Sequence, residues 1–133
     1  PAMYEKFIQP YNERIAGMFG KLYYHGCEDL SAKARIIRNL PNLRLFHVSP
    51  WTPLKPVLEA LGGGIALEVH SHPARVLFTD SPEDTRADLQ RLHREAAGAP
   101  HILKLCDVES VPDGGQRLAL WARLAREVVE RQD

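Results

Sequence analysis

The residues of this 133-residue chain best equipped for chemistry are its six histidines and two cysteines, and most of them fall in four short clusters. These are His25-Gly26-Cys27-Glu28, His47 with Ser49 and Trp51, His70-Ser71-His72, and Cys106-Asp107 with Glu109. A chain long enough to bury its own core does not need a disulfide framework, so in a reducing compartment metal binding or catalysis is the better use of two cysteines. His70 and His72 are two residues apart, so on a strand their imidazoles face the same way. Such a pair either holds a metal or lines a pocket and binds a substrate carboxylate, and the second is the commoner arrangement. A cysteine at a strand end is also often a small buried hydrophobe.

The elements that position these clusters follow from apolar spacing. Residues 3–19 place Tyr4, Phe7, Ile8, Tyr11, Ile15, Met18 and Phe19 three and four apart, an amphipathic helix closed by Gly20 and kinked or split by Pro10. Residues 22–24 are a short apolar strand, and Ser31 caps a helix over 32–40 that Pro41 stops. A second strand spans 43–48, and the loop Ser49-Pro50-Trp51-Thr52-Pro53 opens a helix that runs to Leu61. Gly62-Gly63-Gly64 ends that helix and precedes a third strand over 65–69; a phosphate cradle would precede a helix instead. Asp80 or Ser81 caps a helix with Pro82 in its first turn, running to Gly98. A fourth strand covers 101–105 and a last helix covers 118–129, with Trp121 in its apolar face.

Strands alternating with helices predict an α/β domain spanning residues 1–133, with parallel strands joined by right-handed crossovers. Working residues of such sheets lie beyond the strand carboxyl ends, where all four clusters fall. His93 reads as solvated surface, His101 as a strand start, His47 as a pocket or core histidine, and Trp51 as a pocket wall or a side chain packed under its loop. Seventeen basic residues balance seventeen acidic ones, which disfavours nucleic acid and anionic membranes as partners. No apolar run is long enough to span a bilayer and the first residues lack a secretory h-region, so the expected address is cytoplasmic.

Several runs carry a family resemblance. Tyr11-Asn12-Glu13-Arg14, Tyr23-Tyr24-His25-Gly26-Cys27-Glu28-Asp29-Leu30, Ile37-Arg38-Asn39-Leu40-Pro41-Asn42-Leu43-Arg44, Val48-Ser49-Pro50-Trp51, Ser71-His72-Pro73-Ala74, Ile102-Leu103-Lys104 and residues 120–129 resemble the carboxyl-terminal half of uroporphyrinogen decarboxylase-like proteins. That superfamily, which includes corrinoid-dependent methyltransferases, is built on a (β/α)8 TIM-type barrel. The resemblance implies the fifth to eighth strands with one preceding helix, half of a fold that needs about 250 residues.

In the methyltransferase branch a His-x-Cys pair and a distant Cys bind a zinc that activates a thiol acceptor. The resemblance therefore makes His25, Cys27 and Cys106 the candidate zinc ligands, with an open fourth position of catalytic type. Glu28 is a candidate acid, base or fourth ligand, and His47, His70 and His72 are candidate contacts to a small-molecule substrate, although His70-Ser71-His72 departs from the residues expected there in the family. Zinc-dependent methyl transfer to a thiol, with a corrinoid protein as partner, is the implied function. Alternatives are a barrel half that needs a partner chain, and a metal-free pocket that binds a carboxylate through His70, His72 and Arg75. In a flat sheet ordered one to four, the first and fourth strand ends stand roughly 14 Å apart. Zinc bonds of about 2.0 to 2.3 Å cannot bridge that gap, so the ligand set requires a curled sheet. The missing strands would come from a second copy, placing Cys106 of one chain beside His25 and Cys27 of the other, or from an amino-terminal half of a longer protein.

Overall fold

The computed structural model describes residues 1–78, 81–105 and 108–130. Pro10 splits the first predicted helix. α1 (Ala2–Phe7) and α2 (Gln9–Ala16) meet at Ile8, whose φ of −115° departs from helical geometry, and Pro10 sits in the first turn of α2 where its missing N–H has no partner to lose. β1 (Leu22–Tyr24) follows, then α3 (Ala34–Ile37), β2 (Leu43–Val48) and α4 (Leu54–Leu61). Gly62 ends α4 at φ +70°, a conformation that favours glycine. Beyond it come β3 (Ala66–Ser71), the single turn α5 (Pro73–Val76), α6 (Pro82–Glu95), β4 (His101–Leu105), a 3-10 turn at Pro112–Gly115, and α7 (Gln116–Glu130). Ser81 caps α6 by accepting a hydrogen bond from the Asp84 amide at 3.2 Å. Asp80, the other candidate cap, lies outside the described residues.

The four strands form one parallel sheet in the order β1-β2-β3-β4. Side chains alternate between its faces. Leu22, Tyr24, Phe46, Val48, Leu67, Val69 and Leu103 join one core with Ala34, Ile37, Val57, Leu61 and Leu92 of the helices. A smaller core joins α6 to α7 through Leu89, Leu124 and Val128, with Trp121 packed against it. The opposite set of side chains, Tyr23, His47, Glu68, His70, Ile102 and Lys104, turns away from the helices. Parallel sheets are ordinarily covered on both faces, yet Ile102 on this side is 54% exposed and Tyr23 39%.

The pairing of β1 with β2 is irregular at one step. Leu22 pairs with Leu43 but Tyr23 pairs with Leu45, so Arg44 is an extra residue opposite a single step of β1. The bulge lets both Leu43 and Phe46 face the core, and it leaves His47 on the far side. The expected α/β sheet of parallel strands is therefore present as an open four-stranded sheet. Among the described residues, no helix is long and apolar enough to cross a membrane.

Candidate metal centre

Register brings the polar groups together. His47 pairs with Glu68 across β2 and β3, His70 pairs with Lys104 across β3 and β4, and His25 follows directly on β1. Adjacent strands are about 4.8 Å apart, so side chains on one face at matched positions touch. His25 and His47 approach with their Nδ1 atoms 2.9 Å apart and ring centroids 4.0 Å apart, and the His47 ring stacks on His70 at 4.2 Å. Tyr23 lies 2.9 Å from His25 Nδ1 and donates its hydroxyl proton to Glu68 Oε1 at 2.6 Å. His70 Nε2 and Lys104 Nζ reach the same oxygen at 2.8 and 3.3 Å.

Three donors thus converge on Glu68 Oε1, and Oε2 makes no hydrogen bond to any described residue. Burial alone would raise the Glu68 pKa, but the hydrogen bonds from Tyr23, His70 and Lys104, with the Lys104 charge, outweigh it and bring the value down to about 2. Glu68 is therefore an anion. Burial, reinforced by the neighbouring His70 and His25, lowers His47 to about 4, so its imidazole is neutral near pH 7. Tyr23 is raised by burial and by its bond to the Glu68 carboxylate, so it stays a protonated donor.

An ionised carboxylate and neutral imidazoles are the forms that ligate a cation. One ligand atom from each of His25, His47 and Glu68 lies within 4.8 Å of the others, a candidate metal site. Ligand atoms bound to one tetrahedral ion at about 2.0–2.2 Å stand roughly 3.3–3.5 Å apart, so side-chain adjustments of an ångström or so would suffice. His47 Nε2 is buried with no hydrogen-bond partner among the described residues, an arrangement that costs about 1–3 kcal/mol and that a bound ion would relieve. Two histidines and a carboxylate form a set of catalytic type for zinc, with a position left open, and also suit non-haem iron; the donor set does not name the metal.

The remaining sequence candidates are distributed around this cluster. Cys27 is exposed, with Sγ 3.3 Å from His25 Nε2, on the opposite side of that ring from His47. Cys106 and Asp107 lie outside the described residues. The Glu28 carboxylate turns to Lys33 at 2.6 Å, a bond that holds it below its ordinary pKa, and its carbonyl accepts the Ser49 and Thr52 hydroxyls at 3.1 Å each. Glu28 thereby ties the loop after β1 to the loop after β2. His72 caps α5, with Nδ1 accepting from the Ala74 amide at 3.2 Å, and its ring meets Trp51 edge-on at 4.7 Å. Trp51 is 63% exposed and so is not packed under its loop. His93 and His101 pair with each other at 2.9 Å, apart from the cluster.

Glu68, Tyr23 and Lys104 were not singled out by sequence. A signal existed for Glu68: it is the one acid inside an apolar strand, two residues before a histidine, and a carboxylate there is expected to be paired. Comparison with known family models, curated proteins and solved structures gave no match.

Proposed function

We propose that this protein is a metal-dependent enzyme whose divalent ion sits on His25, His47 and Glu68, and that the chain is half of a uroporphyrinogen decarboxylase-like barrel. The observation carrying the metal reading is the convergence of those three groups, with Glu68 held ionised and His47 held neutral. The barrel reading is supported by sequential strand order, helices packed on one face, and a polar cluster on the other face near the strand carboxyl ends, where barrel enzymes work. The missing strands come from a second copy or from preceding sequence.

A bound divalent ion supplies Lewis acidity that brings a coordinated water or thiol toward ionisation near neutral pH. The protein's own groups prepare that site. His70 and Tyr23 orient the Glu68 carboxylate and keep one oxygen engaged, leaving the other to ligate. Lys104 adds a positive charge beside Glu68 that would favour an anionic substrate or a developing negative charge. Zinc is the metal best matched to a nucleophile-activating role without redox chemistry.

A second reading, methyl transfer to a thiol from a corrinoid partner, is supported by the family resemblance and by the 3.3 Å contact of Cys27 with His25. It uses His25, Cys27 and Cys106 as ligands. Metal analysis of protein purified without chelator separates the two. In the favoured reading each chain holds about one ion, His47→Ala and Glu68→Gln lose it, and Cys27→Ser keeps it. Loss in Cys27→Ser with retention in Glu68→Gln would transfer the site to the thiol set, and absence of metal from the unmodified protein would remove both.

A further inference from the structure

α1 and α2 carry their polarity the wrong way round for surface helices, which ordinarily bury the apolar side and show the polar one. Gln9 and Ala16 are the two residues they bury. Gln9, 5% exposed, donates to Glu13 Oε1 at 3.1 Å and to the Ile36 carbonyl at 3.2 Å, and Asn12 beside it donates to the Tyr4 hydroxyl at 3.0 Å. Outward, these helices and the turn after them present Phe7, Ile8, Tyr11, Ile15, Met18 and Phe19, each between 47 and 77% exposed.

Residues of this size carry about 150–250 Å² each, so at such exposure the stripe offers roughly 700 Å² to solvent. The largest apolar patch of an ordinary monomer is about 300–600 Å², and each partner in a specific interface contributes about 800 Å². The stripe therefore has the size of one side of an interface.

Its spacing says what fits. Ile8, Tyr11, Ile15 and Met18 follow one another in steps of three, four and three, the seam by which one helix packs on another, and a shallow groove is lined by Tyr11, Ile15 and Met18. Turned antiparallel about a two-fold axis, the seam matches itself: Ile8 meets Met18 of the second copy, and Tyr11 meets Ile15. The exposed charges around it, Glu5, Lys6, Glu13 and Arg14, cancel, and the whole chain is neutral. That balance gives no pull toward an oppositely charged protein or an anionic membrane, and no repulsion between copies.

We infer that α2 docks on α2 of a second copy as an antiparallel two-fold pair, with Tyr11 and Ile15 at its centre and Phe7 and Phe19 at its ends. Tyr4 ties these helices to the core on the helical side of the sheet, so the stripe is separate from the polar face. The inference stands without the metal or the barrel reading.

Sedimentation equilibrium of the full chain, with chelator present, tests it. The unmodified chain should be a dimer at micromolar concentration. Tyr11→Asp and Ile15→Asp, both at exposed sites, should leave the urea midpoint of dilute protein unchanged and raise the dimer dissociation constant at least tenfold, because each would bury an unpaired carboxylate. Val129→Asp, at an exposed apolar site on α7, should leave the dimer intact. A monomeric unmodified chain, a dimer that survives both changes in the stripe, or equal dissociation by Val129→Asp would each overturn the inference. Dissociation by Ile102→Asp but not by the stripe variants would assign the dimer to the sheet, and a monomer that cosediments with neutral lipid vesicles would assign the stripe to a membrane; both results overturn it.

Discussion

Tyr23 on β1 and Glu68 on β3 share a 2.6 Å hydrogen bond although β2 runs between their strands. Two strand spacings amount to roughly 9.6 Å, so the bond is made by two long side chains reaching over the intervening strand. His47 of β2 sits among them, with its own ring nitrogen 2.9 Å from His25. The candidate centre is thus a product of three neighbouring strands, and its perturbation should be felt at each.

Tyr23→Phe removes one of the donors to Glu68 without changing shape. Metal affinity is expected to fall about tenfold, the lower end of what loss of a group supporting a ligand produces. Competition with a chromophoric chelator measures it, and an unchanged affinity would show that Tyr23 does not support the ligand.

Acid should destabilise the metal-free protein. His47 has its pKa lowered from 6.5 to about 4 on folding, so between those values the unfolded chain binds more protons and stability falls as the pH drops. Glu68, lowered to about 2, adds a further loss below the ordinary carboxylate range of about 4.3. Denaturant midpoints between pH 7 and 4, with chelator present, should decline for the unmodified chain and decline less for His47→Phe. A flat profile for the unmodified chain contradicts the reading.

Phe46 is fully buried against the helices and stacks on Tyr24 with ring centroids 6.1 Å apart. Phe46→Ala is expected to cost about 3–5 kcal/mol, seen as a fall in the urea midpoint. Cys27→Ser, at an exposed site, should stay within about 0.5 kcal/mol of the unmodified protein in the absence of metal. A Cys27→Ser loss comparable to that of Phe46→Ala would place the thiol in a structural role.

If a second copy supplies the missing strands, sedimentation at micromolar concentration will give a dimer. Ile102→Asp, on the uncovered face, should then shift the equilibrium toward monomer by tenfold or more, since an interfacial carboxylate would have no partner. A monomer for the unmodified chain excludes that arrangement.

Local signals made the elements legible. Pro10, Pro82, Ser81 and Gly62 act within a turn of their own position, and each marks a boundary or cap in the folded chain. The parallel order was legible too, because strands separated by helices leave few other connections. Glu68 and Tyr23 were not, since the value of each depends on a partner 45 residues away and on a register that no local pattern encodes. The 2.9 Å approach of His47 to His25 joins residues 22 apart in the chain and depends on the same register. Cys27 was found beside His25, as spacing alone dictates.

The bulge at Arg44 absorbs one residue of chain length without disturbing the centre. Removing that residue would give β2 regular pairing with β1, because Leu43 and Phe46 would then lie two residues apart and face the core without a bulge, and His47 would keep its side. Only a change of length that the bulge cannot absorb would turn His47 into the core and scatter the ligands while leaving each of them in the polypeptide.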